Sequence, residues 1–320
     1  MSQAGSMLPE GRDSNFGTER MAGKVPEAML DQVRQGWYVR ACPYPLEEMI
    51  GRFRGLKAID LNTPIVAIGS CFAQHLAHWL KVNGYHCLPL PWGVIYNPMN
   101  LAQIVRQSFE PETWEAEEPY WIVDGVFRDP YRKADDHSGA YPLGPDESRA
   151  RECLAAFGRI SRSLLEQTRW AVFTLGLTEL WRNRHDGKAY FRMPDPQVFD
   201  PARHEFHNLS FQEIVDSLLY TVDTITRHNP AVRFLLSVSP IPLSVTFRNH
   251  LGPYIATQFS KSTLHAAVLE VMDARDNVHY MPGYEIVRND PTRHYTRDGR
   301  HVKSESVNLI MNIFKYLYVV

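Results

Sequence analysis

The sequence IVAIGSCFA (residues 65–73) joins an apolar run of strand length to a pattern with helical spacing. Its first four residues predict a buried strand, and Phe72 begins an amphipathic helix that continues to about Val82. Cys71 is therefore predicted to lie at the turn from strand to helix. That is a suitable position for a nucleophile.

The same alternation of short apolar runs and helical patterns continues along the chain. Further strands are predicted at Tyr85–Leu90, Trp170–Leu175, Val232–Ser237 and Val278–Tyr280. Further helices are predicted from near Pro98, at Ser148–Gln167, at Phe211–Arg227, at Ser260–Asp273 and from about Val302. This order predicts an α/β domain in three layers, a parallel sheet of about five strands covered by helices on both faces.

Two kinds of segment fall outside this pattern. Residues 1–42 are rich in Gly, Ser, Glu and Arg with weak periodicity, so they are predicted to be an N-terminal extension to a domain at 43–320. Trp114–Pro145 and Trp181–Asn208 are predicted to be insertions beyond the strand ends. Since ligands of open α/β sheets bind outside the carboxyl ends of the strands, these insertions are expected to wall a pocket.

Composition narrows the classes of function. The formal net charge is -2, with no sustained cluster of Lys or Arg, which argues against a nucleic-acid partner. No apolar stretch is long enough to cross a bilayer and the N-terminus lacks the apolar centre of a secretory signal, so we expect a cytoplasmic protein without a membrane partner. The four cysteines, Cys42, Cys71, Cys87 and Cys153, show no close pair, which argues against a disulfide framework and a structural zinc site.

Cys71 has two interpretations. A thiol in the first turn of a helix is favoured as thiolate by the helix dipole and by a neighbouring imidazole, which would make it a nucleophile. The alternative is a small buried residue that fills a tight turn. Ser70 is the rival nucleophile, although its hydroxyl is better suited to capping the helix.

Asp298 and His301, three residues apart ahead of the last helix, supply the other members of a possible triad. His301 would act as general base and then as general acid, with Asp298 holding the ring in the required tautomer. The alternative is a surface histidine, with Asp298 serving as the N-cap of a helix.

An acyl-transfer site also needs donors for an oxyanion. The backbone N–H of Cys71 is one candidate, Gly93 would allow close approach of the backbone, and Asn97 or Thr178 would add a side-chain donor. Ordinary turn chemistry explains Gly93 and Asn97 equally well, and Thr178 would serve as an N-cap. Glu179 is assigned to the same substrate-binding group, with a simple pairing to Arg182 as its alternative.

Metal and cofactor motifs are weak. His75 with His78 and His204 with His207 are each three residues apart, which is not a metal-binding signature, and they are interpreted as solvated or core-edge histidines. The glycines form no dinucleotide or ATP loop, so no cofactor is expected. Lys261 follows Ser260 at a predicted helix start, which indicates capping and charge, or a lysine that binds an anionic group.

Several segments resemble the bacterial GSCFA family. They are residues 69–73, 93–98, 176–179, 237–240 and 298–301, which read GSCFA, GVIYNP, GLTE, SVSP and DGRH. The resemblance covers roughly residues 45–320 and implies a branch of the SGNH (GDSL-type) hydrolases, with a flavodoxin-like sheet. It implies that Cys71 replaces the nucleophilic serine, that Asp298 and His301 complete the site, and that Thr178 replaces an oxyanion-binding asparagine.

Together these features predict a cysteine-dependent acyl hydrolase or acyltransferase that forms an acyl-thioester on Cys71. Its substrate would be a small-molecule or carrier-bound ester, thioester or amide. Two alternatives remain open: a noncatalytic module that binds an acyl group or a glycan, and an esterase dependent on Ser70.

Overall fold

The apolar run that opens the motif forms a strand, β1 (Ile65–Gly69), in which every residue is buried. Its β-branched residues suit a strand that is covered on both faces. The structure, a computed structural model, describes residues 55–134, 139–288 and 290–320, and of Cys71 it describes the backbone alone. Residues 55–320 fall within one compact unit. The predicted boundary between 1–42 and 43–320 lies outside the described residues and stays a prediction.

The remaining strands follow in chain order: β2 (Trp121–Val123), β3 (Val126–Lys133), β4 (Ala140–Gly144), β5 (Trp170–Leu175), β6 (Glu179–Asn183), β7 (Ala189–Tyr190), β8 (His204–Asn208), β9 (Arg233–Val238) and β10 (Val278–Tyr280). The helices are α1 (Cys71–Val82), α2 (Pro98–Phe109), α3 (Glu147–Gln167), α4 (Phe211–His228), α5 (Gly252–Ala274), α6 (Gly283–Arg288), α7 (Pro291–His294) and α8 (Ser304–Tyr318), with a 3₁₀ turn at Pro111–Thr113. Among these helices, none combines the length and the apolar character that crossing a bilayer requires.

The central sheet has four strands in the order β1-β5-β9-β10, all parallel. Ile65 pairs with Trp170, and Trp170 in turn pairs with Arg233. Parallel neighbours need long crossover connections, and the helical segments between these strands supply them. The α/β class and four of the predicted strands are therefore confirmed.

The fifth predicted strand, Tyr85–Leu90, is wrong. Within this segment only Cys87 forms a bridge, parallel to Ile65 of β1. Pro89 and Pro91 have no N–H group, so a continuous ladder of hydrogen bonds cannot form along this edge. The segment still runs beside β1 as an irregular edge.

Helix α5 is longer than predicted. It begins at Gly252, with Pro253 in its first turn, rather than at Ser260. Proline is favoured there because the N–H groups of the first turn have no partner within the helix. Ser260 and Lys261 consequently lie in mid-helix and are fully buried, so the interpretation of the pair as capping and charge at a helix start is wrong. Lys261 also lies outside the lining of the cavity at the carboxyl edge of the central sheet, so its alternative as a lysine that binds an anionic group stays a prediction.

The two insertions form small antiparallel sheets, β2-β3-β4 and β7-β6-β8. Asp124 and Gly125, both with positive φ, make the two-residue turn between β2 and β3. The two insertions share one apolar cluster, whose buried members are Trp121, Val123, Tyr131, Ala140, Tyr190 and Phe191. They therefore pack against each other.

A buried carboxylate also links the insertions. Glu118 accepts hydrogen bonds from the Tyr190 hydroxyl, from Nε2 of His204 at 2.9 Å and from Nη1 of Arg203 at 3.1 Å. Nδ1 of His204 accepts from the backbone N–H of Asp200, which leaves the ring proton on Nε2. This histidine is thus a core residue with both nitrogens engaged.

The two ends of the described domain lie side by side. Ile59 and Val319 form a parallel bridge, the N–H of Ile59 donates to the carbonyl of Tyr318, and the N–H of Val320 donates to the carbonyl of Ile59, both at 3.0 Å. These backbone bonds hold the first and last segments of the described domain together.

Candidate active site

The turn after β1 depends on a glycine. Gly69 has φ +144°, and a Cβ atom placed on it would lie 2.1 Å from the carbonyl oxygen of Thr174 in β5. The next residue, Ser70, donates its N–H to that same oxygen at 2.9 Å. Only glycine allows this close approach, so the sequence fixes the turn against the neighbouring strand.

Ser70 caps the helix that carries the motif. Its Oγ accepts the N–H of Phe72 at 3.3 Å and its side chain is buried, so the predicted N-cap is confirmed. Cys71 is the first residue of α1, as the predicted turn from strand to helix requires. The side chain of Cys71 lies outside the described part of the chain, and its role stays a prediction.

Asp298 and His301 form a pair, with Nδ1 of the ring 2.5 Å from Oδ2 of the carboxylate. Both side chains are exposed. The hydroxyl of Thr296, the N–H of Arg300 and the imidazole of His301 hold the pKa of the Asp298 carboxyl well below its usual range. A carboxylate that accepts from Nδ1–H keeps the ring proton on that nitrogen and leaves Nε2 as the proton acceptor.

The hairpin that carries this pair is held at the carboxyl edge of the central sheet. Tyr295 and Val302 form an antiparallel bridge, and the Tyr295 hydroxyl donates to the carbonyl of Pro240, just beyond β9, at 2.6 Å. Asp298 accepts the backbone N–H groups of this turn rather than capping a helix, since α8 begins only at Ser304. The alternative interpretation as a helix N-cap is therefore wrong.

A cavity of about 600 Å³ opens at the same edge. Ser70, Gly176 and Ser239, which follow β1, β5 and β9, lie in its lining together with Arg300 from the hairpin. The insertions add much of the wall: Lys133 from one, and Trp181, Phe191, Arg192, Met193, Pro194, Asp195, Pro196 and Phe206 from the other. The prediction that the insertions wall a pocket is confirmed.

The predicted oxyanion donors of the 93–98 segment differ in position. Asn97 lines the cavity and caps α2, with its Oδ1 accepting the N–H of Asn100 at 2.9 Å and its Nδ2 donating to Oδ1 of Asn100 at 2.5 Å. Gly93 has φ +61° and would place a Cβ 2.6 Å from the carbonyl oxygen of Lys133, but it does not line the cavity. The structure thus shows turn and capping roles for both residues.

In the 176–179 segment, Glu179 lines the cavity and Thr178 does not. The Thr178 hydroxyl is buried 2.8 Å from both Oδ1 of Asn208 and Oγ of Ser260, outside the cavity lining. Glu179 lines the cavity and accepts from the Thr246 hydroxyl at 2.7 Å. Its alternative pairing with Arg182 is wrong, because that arginine pairs with Glu205 of β8.

The family model for the GSCFA family matches residues 64–314, which begin one residue before β1 and end within α8. The chain belongs to the GSCFA family. No curated protein matches the chain. The resemblance noted in the sequence is confirmed.

Two solved structures show weak similarity to this GSCFA chain. One is a Corynascus thermopiles (Myceliophthora fergusii) carbohydrate esterase of family 2 with its carbohydrate-binding domain, 16% identical, covering 47% of this chain and 36% of the esterase, with a TM-score of 0.28. The other is a Streptococcus pneumonia protein provisionally assigned as a platelet activating factor, 15% identical, covering 92% and 100%, with a TM-score of 0.38. At these levels neither structure adds to the fold assignment, which rests on the strand order of the chain itself.

In this GSCFA domain, one residue with a structural role at the site was misassigned from the sequence. Lys261 is fully buried and its ammonium donates to the carbonyl of Gly176 at 2.7 Å. Burial lowers the pKa of Lys261 to about 7. The N–H groups of Gly176 and Leu177 both donate to the carbonyl of Tyr96, so the loop after β5 is held from two sides.

The cationic residues of the cavity were missed altogether. Lys133 and Arg192 belong to insertions without helix or strand periodicity in the sequence, and Arg300 lies between Asp298 and His301 without a motif of its own. Only the folded structure shows that these three side chains lie in the same cavity lining.

Two other thiols of the GSCFA domain are described, and burial raises the pKa of both Cys87 and Cys153. Neither lines the cavity. Both would be poor nucleophiles at neutral pH, because the thiolate is the reactive form.

Proposed function

We propose that the protein is a cysteine-dependent acyl hydrolase or acyltransferase that acts on ester, thioester or amide substrates through an acyl-thioester on Cys71. One observation carries the proposal: Ser70 and Arg300, the residues immediately before Cys71 and His301, line the same cavity. Two segments about 230 residues apart in sequence therefore meet at one site. The hydrogen-bonded pair of Asp298 and His301 supplies the general base that such chemistry needs.

In the proposed reaction, Nε2 of His301 takes the thiol proton and the Cys71 sulfur attacks the acyl carbon. The tetrahedral intermediate collapses, the bond to the leaving group breaks, and the leaving group takes the proton from the imidazolium. Water or an acceptor alcohol or amine then gives its proton to His301 and attacks the thioester. The bond between carbon and sulfur breaks, the acyl group leaves on the water or acceptor oxygen or nitrogen, and the imidazolium returns its proton to the Cys71 sulfur. Asp298 keeps the ring oriented throughout.

Backbone groups are the best candidates for the oxyanion site. The first N–H groups of a helix have no partner within the helix, and the N–H of Cys71 belongs to this set. The Thr178 hydroxyl bonds to Asn208 and Ser260 instead. The Thr178 side chain, which the family resemblance places at the oxyanion site, is thus hydrogen-bonded to these two residues instead.

The strand order supports an SGNH-like arrangement of flavodoxin type, with three layers, for this site. Cys87 and Val94 both make parallel bridges to β1, on residues Ile65 and Gly69. If this irregular segment is counted, the order becomes edge, β1, β5, β9, β10, which corresponds to the flavodoxin order 2-1-3-4-5. Ligands of that fold bind beyond the carboxyl ends of the strands, where the cavity lies.

The position of Thr178 also favours a second candidate, a noncatalytic module that binds an acyl group or a glycan in the same cavity. The third candidate, a Ser70 esterase, is disfavoured because Oγ of Ser70 accepts the N–H of Phe72 as a helix cap. The three candidates differ in which residue, if any, becomes acylated.

The test is the intact mass of the protein after incubation with a panel of activated esters and thioesters, followed by peptide mapping. We expect one acyl adduct on Cys71 in the wild type, none in Cys71→Ala and none or far slower formation in His301→Ala. The control variant is His250→Ala, an exposed histidine outside the cavity lining, which should react like the wild type. Ser70→Ala should keep its adduct if Ser70 serves only as the cap.

Full labelling of Cys71→Ala would contradict the sulfur mechanism, and loss of the adduct only in Ser70→Ala would favour the serine esterase. Iodoacetamide labelling across pH separates the enzyme from the binding module. A thiol at Cys71 that titrates near its ordinary pKa of about 8.5, together with no acyl adduct, would favour the binding module.

A further inference from the structure

The cavity contains three cationic side chains, those of Lys133, Arg192 and Arg300. In the part of the chain that the structure describes, none of them forms an ion pair with a carboxylate. The guanidinium of Arg192 lies 5.2 Å from the ring centre of Phe191. Nε of Arg300 is buried without a hydrogen-bond partner among the described residues. A buried donor of this kind is costly unless a ligand supplies the acceptor.

The acidic side chains of the lining are engaged within the protein. Glu179 accepts from the Thr246 hydroxyl at 2.7 Å, and Asp195 accepts the N–H of Gln197 at 3.0 Å. Among the described residues, Glu179 and Asp195 are the lining carboxylates, against three lining cations. The charged side chains of the described lining therefore carry a net positive charge, which suits an anionic ligand.

The rest of the wall is apolar and aromatic. Trp181 and Phe206 lie 5.0 Å and 5.5 Å, between ring centres, from Phe247. Leu180 is buried in the same lining, whereas Val245 there is 65% exposed. An apolar surface that runs from a buried base to an exposed edge is suited to an alkyl or aromatic group that enters from solvent.

From these features we propose that the cavity binds acyl donors that are amphiphilic, with an apolar acyl group and a phosphate or carboxylate group in the same molecule. This deepens the proposed function, since it names the substrate class of that site. The apolar group packs against the aromatic wall, and the anionic group binds the arginine and lysine side chains. The anion belongs either to the far end of the acyl group or to the leaving group, and the experiments below separate these sources.

The first experiment measures binding without any reaction. Octyl phosphate, butyl phosphate and octan-1-ol are titrated calorimetrically into the wild type and into Cys71→Ala. We expect octyl phosphate to bind at least about tenfold more tightly than octan-1-ol, with an affinity that falls as salt rises. Each methylene removed from the alkyl phosphate should weaken binding about fourfold where that group is buried.

Matched variants locate the two halves of the ligand. Arg300→Gln and Arg192→Gln should each weaken octyl phosphate by about fivefold or more without affecting octan-1-ol, whereas Lys315→Gln, the same charge change on the exposed face of α8, should have no effect. Arg192→Lys should restore part of the affinity. Val245→Ser should reduce the preference for octyl over butyl phosphate. Thermal melting confirms that each variant is folded.

The second experiment finds the side of the molecule that carries the anion. Acylation of the wild type is compared for three thioesters. The octanoyl thioester of N-acetylcysteamine has no anionic group, the octanoyl thioester of 4′-phosphopantetheine has one on the leaving group, and the suberic acid monothioester of N-acetylcysteamine has one on the acyl group. Faster reaction of the phosphopantetheine thioester places the anion on the leaving group, and faster reaction of the suberic acid thioester places it on the acyl group. Equal rates for all three would overturn the anionic preference while leaving the proposed function intact.

The two proposals fail in different ways. If octyl phosphate and octan-1-ol bind equally, or if the arginine variants behave like Lys315→Gln, the substrate class is wrong whatever the reactivity of Cys71. If the anionic ligand binds as expected but no thioester ever acylates the protein, the binding proposal holds and the proposed catalysis is wrong.

Discussion

Lys261 is fully buried in the middle of α5, and this burial changes the pKa of its side chain. An ammonium group loses its hydration there, and its hydrogen-bond acceptor is a neutral carbonyl, that of Gly176. Desolvation without a nearby negative charge disfavours the charged form, which is why the pKa of Lys261 is lowered from its ordinary value of 10.5 to about 7. The amine is retained at the point where it holds the loop after β5, next to the cavity.

Lys261→Met should change how stability depends on pH. Between about pH 7 and the unfolded pKa, the unfolded chain binds one more proton at this residue than the folded chain. The free energy of unfolding of the wild type should therefore rise with pH in this range, by up to about 1.4 kcal/mol per unit from this group. The variant should lack that contribution. Urea unfolding at several pH values from about 7 to 9.5 measures it, and equal slopes for both proteins would contradict the burial effect.

Asp298→Asn should reduce turnover by roughly a thousandfold or more if the proposed chemistry is correct, because the carboxylate sets the tautomer of His301. The pKa of Asp298 lies well below its usual range, so this carboxylate stays ionised at mildly acidic pH. The acid limb of the pH–rate profile should therefore come from another group. Asp290→Asn is the control, since Asp290 is a half-buried aspartate that also has a lowered pKa but caps α7 outside the cavity. A similar loss in both variants would indicate a structural effect.

At the scale of residues, motif spacing predicted which segments form the candidate site, but it did not predict which other side chains lie around them. Ser70 as cap and the pairing of Asp298 with His301 follow from short-range geometry, which a sequence displays directly. Lys261 was misassigned because its partner, Gly176, is distant in sequence. Arg192 was missed because its insertion has no helix or strand pattern.

Among the elements, the turn between β1 and α1 has the strictest requirement. A side chain at Gly69 would meet the Thr174 carbonyl at 2.1 Å in addition to adopting a positive φ. At Gly84 the φ is also positive, +78°, but nothing lies within 4 Å. The two glycines therefore separate the cost of backbone conformation from the cost of close approach.

Gly84→Ala should reduce the free energy of unfolding by about 1 to 2 kcal/mol, the cost of a left-handed conformation alone. Gly69→Ala should cost about 3 kcal/mol or more, because the new methyl group must push β5 away from the turn. Chemical denaturation of both variants provides the comparison. Similar losses would mean that the turn relaxes easily, and that β5 does not hold it in place.

Strand and helix prediction succeeded where periodicity was undisturbed and failed where a local feature overrode it. Trp170–Leu175 is a central strand with buried residues throughout, as predicted. Tyr85–Leu90 is apolar enough for a strand, but Pro89 interrupts its hydrogen bonding. The hairpin of β2 and β3 has a sequence signal of its own, Asp124 followed by Gly125, which is typical of a two-residue turn.

In the molecule as a whole, the cavity wall depends on how the two insertions hold together. Glu118, from the segment before β2, bonds to Tyr190, Arg203 and His204 of the other insertion. The partners are distant in sequence, so this network could not be predicted from composition or spacing. We expect this network to stabilise the insertions that form the cavity wall more than it stabilises the central sheet.

Glu118→Ala should lower the free energy of unfolding by on the order of 3 kcal/mol, because it leaves buried polar partners without their acceptor. Glu117→Ala is the control, since the neighbouring glutamate makes more exposed ion pairs with His185 and Arg203, and its loss should be much smaller. Binding of octyl phosphate should also weaken in Glu118→Ala. Equal stability of the two variants would mean that the insertions are held by apolar packing alone.

The backbone bridge between Ile59 and Val319 makes the domain a candidate for circular permutation. In a chain that starts at Gly55, a short Gly/Ser linker would join Val320 to Gly55. New ends would be opened between Asp124 and Gly125, in a turn where a Cβ on Gly125 would meet nothing within 4 Å. We expect the permuted chain to melt as one cooperative unit. Its thiol segment would then be synthesised after the histidine hairpin instead of long before it, so the order of translation would be reversed for the two halves of the proposed catalytic pair.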